Sequence, residues 1–193
     1  MRKPAGIVLF PGAGSSADHP SLLALEEALA PIPVRRVDFP YRRAGRKAPD
    51  RAPVLLACVR EEVRAFADEL GVSTGRLVIG GRSMGGRMCS MAAADADDPL
   101  KVAGLVLVSY PLHPPAKPEN MRTEHLPRIT VPTLCVSGTK DTFGTPQELR
   151  KAFRKVPGEV TWEFVERKGH DLKNADDLIV GAVRNWLGLR PRG

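Results

Sequence analysis

Short runs of apolar, β-rich residues alternate along this chain with longer stretches in which apolar positions recur at helical spacing. The runs Gly6 to Phe10, Val34 to Phe39, Arg76 to Gly80, Ala103 to Ser109, Thr133 to Ser137 and Val160 to Val165 predict strands. Most are apolar without interruption, as strands covered on both faces should be. Between them the spacing predicts helices from Pro20 to Ala30, Pro53 to Leu70, Met84 to Ala94, Pro146 to Lys155 and Ala175 to Leu187. Pro20, Pro53 and Pro146 suit a first helical turn, where the missing N–H costs nothing. The stretch from Pro111 to Pro132 holds six prolines and no clear period, so it is expected to be a connection too short for a domain. This alternation predicts an α/β fold, a three-layer α/β/α sandwich on a mostly parallel sheet of about six strands. A length of 193 residues is enough to cover both faces of such a sheet in one domain spanning residues 1–193.

Composition narrows the picture further. The chain is 42% hydrophobic and 26% charged, with no internal repeat, which predicts an ordered globular protein. The opening MRKPAGIVLFPG imitates a secretion signal, but its apolar run ends at Pro11-Gly12 and is too short for one. Nothing approaches the length of a membrane span. Cys58, Cys89 and Cys135 are far apart and lack Cys-x-x-Cys spacing, so they read as buried thiols of a cytoplasmic protein, with no structural metal or disulfide framework. The net charge is +7, and Arg35, Arg36, Arg42, Arg43, Arg46, Lys47 and Arg51 crowd around only Asp38 and Asp50. Aromatics are 5% of the chain and no nucleic-acid-binding signature accompanies this run, so it reads as a solvated surface and no nucleic-acid partner is expected.

The strongest local signal is Gly81-Arg82-Ser83-Met84-Gly85, a G-x-S-x-G that follows the strand RLVIG and precedes a helix. A strand that turns sharply into a helix holds its central residue in strained geometry and needs side-chain-free neighbours, here Gly81 and Gly85. The Ser83 hydroxyl would then project above the sheet, with the Met84 N–H free to donate to a developing oxyanion. A serine hydroxyl requires a base, and the base an orienting acid, in the order Ser, Asp, His. Asp141 follows the strand TLCVS, and His170 follows the strand TWEFV, each a few residues past a strand's C-terminal end. Open α/β sheets build their sites there. Asp171 adjoins its own histidine and cannot easily reach the ring's Nδ1, while His19, His113 and His125 are poorer bases by position. A second oxyanion donor is expected from the Ala13 N–H, in a loop made pliant by Gly12 and Gly14.

Through PGAGSSADHP, FPYRRAGRKAPDRAP, GGRSMGGRM and SGTKD the chain resembles the α/β-hydrolase superfamily nearly end to end. It looks closest to small capless members related to dienelactone hydrolase, and among them it is similar to the group of testis-expressed protein 30 and subunit 3 of the non-specific-lethal chromatin complex. The resemblance implies the triad Ser83, Asp141 and His170 and marks the basic segment as a family feature. Two departures stand out. Pro11 occupies a place where such proteins often carry His, and the usual first two strands are missing.

The reading that follows is a serine hydrolase acting on a small carboxylic ester or thioester, through an acyl-enzyme, with no cofactor and no metal. No membrane partner is expected, and no pattern dictates an oligomeric state. The basic segment leaves the C-terminal end of a strand, so Arg42, Arg43 or Arg46 would stand near the mouth of the site and favour anionic substrates. Only the Pro-rich stretch is available as a lid, which predicts a shallow site for short acyl groups. Two other readings stay open. Gly12-Ala13-Gly14-Ser15-Ser16-Ala17 follows a strand and fits G-x-G-x-x-[GA], with Asp38 as ribose ligand and Arg35 or Arg42 for a 2′-phosphate, as in an NAD(P)-binding oxidoreductase. Against it, Pro20 starts the helix beyond the glycines. The same hydrolase fold could also serve as a non-catalytic interaction module.

Overall fold

Successive side chains of a strand point to opposite faces of its sheet, and here both sets are apolar. The structure, a computed structural model, describes residues 3–189. Its strands are β1 (Gly6–Phe10), β2 (Val34–Arg36), β3 (Leu77–Arg82), β4 (Gly104–Val108), β5 (Thr133–Gly138) and β6 (Val160–Val165). They form one sheet in the order β2-β1-β3-β4-β5-β6, and every neighbouring pair is parallel. Ile7 and Leu9 of β1, with Val106 and Val108 of β4, belong to one apolar cluster; Val8 and Phe10, with Leu105 and Leu107, belong to the other.

The helices are α1 (Pro20–Leu29), α2 (Pro40–Arg43), α3 (Ala52–Glu69), α4 (Met84–Ala93), α5 (Pro146–Phe153) and α6 (Asp176–Trp186). Leu22, Leu25 and Leu29 of α1 and Ile179 and Val183 of α6 cover the first face. The second is covered by Leu55, Val59 and Val63 of α3, Met88 and Cys89 of α4, and Leu149 of α5. Such packing gives the three-layer sandwich with β3 inside the sheet. The three cysteines are buried free thiols, and burial pushes the Cys58 thiol up to about 11. No helix among the described residues is long and apolar enough to cross a membrane.

The alternating Val37, Phe39 and Tyr41 invite a longer second strand than the one present. The ladder stops at Arg36, although the Val37 N–H still donates to the Leu9 carbonyl, and Pro40 then opens α2. Phe39 is buried against Phe10, so its apolar side chain reports packing in the core and not strand pairing. The crowded arginines of this region find acids: Arg35 pairs with Glu69, Arg36 with Asp18 and Glu26, Arg43 with Glu62, and Arg46 with Asp50.

The Pro-rich connection is ordered by a buried polar network. It contains a single 3-10 turn, Leu126–Arg128, preceded by His125. Ser90 donates to the Arg87 carbonyl at 2.8 Å and Tyr110 to the Arg122 carbonyl at 3.2 Å, so both hydroxyl oxygens are left to accept from His125 Nε2, at 2.9 and 3.3 Å. That assignment makes His125 neutral with its proton on Nε2. Burial, helped by the positive charges of Arg87 and Arg128, lowers its pKa from 6.5 to about 4. The unfolded chain therefore takes up a proton that the native protein resists. As pH falls from 6.5 towards 4 this group removes roughly 2–3 kcal/mol of stability, and it removes none above 6.5. Urea denaturation across that range will show a steeper loss for the parent than for His125→Gln, which keeps a donor and cannot titrate.

Candidate active site

Between β3 and α4 the chain reverses direction within a few residues, and Ser83 carries the strain, with φ 47° and ψ −114°. Its N–H donates to the Val108 carbonyl at 2.8 Å, which anchors the turn to β4. The turn is possible because Gly81 and Gly85 lie against β1. A Cβ on Gly81, whose φ is +145°, would stand 1.9 Å from the Phe10 carbonyl oxygen, and one on Gly85 would stand 2.3 Å from the same atom. Gly12 and Gly14 differ from these. A Cβ on Gly12 would make ordinary contact with the Ser83 Cβ at 3.6 Å, and one on Gly14 would meet nothing within 4 Å. Gly14 is therefore not sterically required.

Ser83, Asp141 and His170 come together from three loops. The Ser83 Oγ lies 2.8 Å from His170 Nε2, and His170 Nδ1 lies 2.9 and 3.0 Å from the two Asp141 oxygens. With Nδ1–H donating to the carboxylate, Nε2 is left to accept the serine proton. Asp141 is 1% exposed and also accepts the Phe143 N–H at 2.8 Å. Phe143 stacks on the His170 ring with centroids 4.0 Å apart, fixing the plane of the imidazole. The Asp141 and His170 loops are held against each other by the Lys140 N–H, which donates to the Lys168 carbonyl at 2.8 Å. A Cβ on Gly138 would collide with that carbonyl at 2.2 Å.

Arg82, the second residue of the motif, is 6% exposed and donates to the Asp171 carbonyl at 2.7 Å and to Ser21 Oγ at 3.4 Å. It straps the His170 loop to β3, and burial lowers its pKa against the opposing fields of Asp176, Asp171 and Asp141. The Asp171 carboxylate accepts the Lys173 N–H at 3.3 Å, and His170 Nδ1 is bonded to Asp141. His19 accepts the Ser21 N–H at the start of α1, and burial lowers its pKa.

A cavity of about 640 Å³ opens over Ser83 and His170, with Ala13 and Met84 in its wall. The Met84 N–H is the first of α4 and has no intrahelical acceptor. The buried Tyr41 donates to the Ala13 carbonyl at 2.8 Å, which fixes that peptide beside the serine. Arg42, Arg43 and Arg46 do not line this cavity. The reason is α2, which turns the segment aside, and the acids that hold Arg43 and Arg46. Arg87 and Arg122 line it instead. The first lies four residues past Ser83, a helical spacing legible in the sequence; the second lies in the stretch without a period. Asp38, the ribose ligand of the dinucleotide reading, accepts the Ala17 N–H at 2.8 Å, Arg35 is held by Glu69, and α1 begins six residues beyond Gly14.

An alpha/beta hydrolase domain family matches residues 3–179. Among solved structures the chain is similar to a dienelactone hydrolase from Anabaena variabilis, with 21% identity over 98% of this chain and 89% of that one and a TM-score of 0.70. It is similar to Est1E from Butyrivibrio proteoclasticus, with 17% identity over 96% and 88% and a TM-score of 0.72. The type II thioesterase BorB of the borrelidin biosynthetic cluster matches at 19% identity over 97% and 94%, with a TM-score of 0.66. Such identities establish the shared fold.

The glycine geometry separates two substitutions. Gly81→Ala forces a Cβ into the Phe10 carbonyl and will cost more than about 3 kcal/mol, whereas Gly14→Ala will change stability by less than about 1 kcal/mol. Chemical denaturation of the two variants checks the difference.

Proposed function

Because this chain belongs to the alpha/beta hydrolase domain family, we propose that it is a serine hydrolase cleaving small carboxylic esters or thioesters through an acyl-enzyme. The observation that carries the proposal is the continuous hydrogen-bonded line from Ser83 Oγ through His170 to the buried Asp141. In this reading Ser83 attacks the carbonyl carbon as His170 Nε2 takes its proton, and the Asp141 carboxylate stabilises the imidazolium that forms. The Met84 and Ala13 N–H groups receive the charge developing on the carbonyl oxygen. His170 then returns the proton to the leaving group, and a water activated by the same nitrogen releases the acid. Phe143 and Arg82 act through others: the former holds the imidazole plane, the latter the loop that bears it. No step requires a metal or a redox cofactor. Three buried thiols fit a reducing, cytoplasmic setting.

The cavity wall contributed by the Pro-rich connection consists of Pro111 and Arg122, and the His170 side chain keeps 22% of its area exposed. A long acyl chain would leave much of its apolar surface in water. The proposed substrates therefore carry short acyl groups.

Two measurements test this. Ser83→Ala will abolish labelling by a fluorophosphonate probe and lower ester turnover by about a thousandfold or more; turnover equal to the parent's would remove Ser83 from the mechanism, and an unlabelled parent would favour an interaction module. Across p-nitrophenyl esters, kcat/KM will be greatest for acyl groups of about two to four carbons and will fall towards palmitoyl; a steady rise with chain length would contradict the open site.

A further inference from the structure

Among the described residues, Arg35, Arg36, Arg43, Arg46, Arg60 and Arg64 lie within salt-bridge distance of an acid. Arg87 and Arg122 do not. Among the described residues no carboxylate comes within 4.0 Å of either guanidinium, although both line the cavity that contains Ser83. The Arg87 Nε is buried without any hydrogen-bond partner. Both belong to one cavity wall, and the Arg122 pKa is lowered by burial and then by the positive charge of Arg87; among the described residues the one side-chain bond of Arg122 is a 3.4 Å contact to the Pro111 carbonyl. Two like charges that line one cavity without a carboxylate partner cost free energy, and an anionic oxygen group held between them offsets that cost through charge-assisted hydrogen bonds.

Their backbones are held in place for such a role. The Arg87 carbonyl accepts Ser90 Oγ and the Arg122 carbonyl accepts the Tyr110 hydroxyl, and His125 bridges the two hydroxyls. One buried network thus sets the separation of two residues that are far apart in sequence. Resting on the hydrolytic reading of Ser83, we infer that Arg87 and Arg122 form an anion-binding subsite, and that the substrate is an ester or thioester bearing a carboxylate or phosphate group. The Arg87 N–H donates to the Ser83 carbonyl one turn along α4, and both residues line the same cavity, so one ligand can meet the nucleophile and this cation together. Asp50 lines another part of the cavity, with Oδ1 on Arg46 and Oδ2 buried and unpartnered. The carboxylate at that end of the cavity disfavours a second anion.

Binding to Ser83→Ala protein tests the subsite without hydrolysis. Calorimetric titration at low ionic strength would compare monomethyl glutarate, 2-acetoxyethyl phosphate and neutral dimethyl glutarate. At least one anion is expected to bind roughly ten- to a hundredfold more tightly than the neutral ester, with added salt narrowing the gap. The tighter of the two anions tells carboxylate from phosphate. Arg87→Gln and Arg122→Gln, each introduced into the same protein, should remove most of the preference. Arg87→Lys and Arg122→Lys, which keep the charge and lose the fork, should retain part of it. Equal affinity for charged and neutral esters, anion binding weaker than about 10 mM, or a preference that survives in both Gln variants overturns the inference. Fluorophosphonate labelling of the parent is read separately: its failure strikes the hydrolytic reading, while anion binding that depends on the two arginines would still stand.

Discussion

At the junction of β3 and α4 three backbone segments meet with no room for a side chain, and the Phe10 carbonyl of β1 is the point of contact for both Gly81 and Gly85. That close approach lets β3 run to Arg82, reverse at Ser83 and enter α4 with no intervening loop. A positive φ at a serine costs on the order of 1–3 kcal/mol. It persists because the flanking elements are held independently, β3 between two parallel neighbours and α4 by Met88, Cys89 and Ala92 in the core. The position of the serine hydroxyl is thus a product of packing on either side of it. Its acid and base depend on the same logic one loop further out, where Gly138 admits the Lys168 carbonyl and Arg82 grips that of Asp171.

Charge is distributed along this chain according to a rule that its total conceals. A net +7 suggests a basic surface, yet the densest run of arginines is largely matched by acids on α1 and α3. Surface pairs of this kind contribute little energy, but they occupy the cations and leave the local field weak. Arg87 and Arg122, by contrast, have no carboxylate partner among the described residues and lie in a concave wall next to Ser83, where solvent screens charge less. Location and pairing, more than number, decide which arginines can act on a ligand.

The strands that were legible from sequence are those whose apolar runs end at a glycine, proline or charged residue. Gly6–Phe10 and Val160–Val165 begin and end where the pattern places them. The second strand is shorter than its pattern because Val37, Phe39 and Tyr41 alternate for a different reason, namely burial beside Phe10. Ser83, Asp141 and His170 could be singled out because each follows a strand, and a parallel sheet brings its C-terminal ends to one edge. A glycine pattern does not say which member faces another backbone: a Cβ would collide at Gly81 and Gly85 and would meet nothing at Gly14. Arg122 was invisible because its place depends on Tyr110 and His125, a contact network with no period in sequence. Arg42, Arg43 and Arg46 are not in the cavity lining, although Arg46 holds Asp50, which is; the short α2 that turns the segment has too few residues to show a helical repeat.

The network of Ser90, Tyr110 and His125 also divides the molecule's inheritance into two accounts. Residues that hold the reacting groups belong to β3, the loops after β5 and β6, and the glycines between them, where almost any change is felt at Ser83. Part of the wall, Pro111 and Arg122, comes from the connection after β4, which is seated by its own buried hydrogen bonds and by Leu112, Leu126 and Ile129 in the core. Variation in the connection can therefore reshape what the cavity accepts while the hydroxyl, imidazole and carboxylate keep their spacing. A lineage built on this scaffold can diversify its ligands by drift in one loop, and the same loop is where a library of designed variants would search most freely.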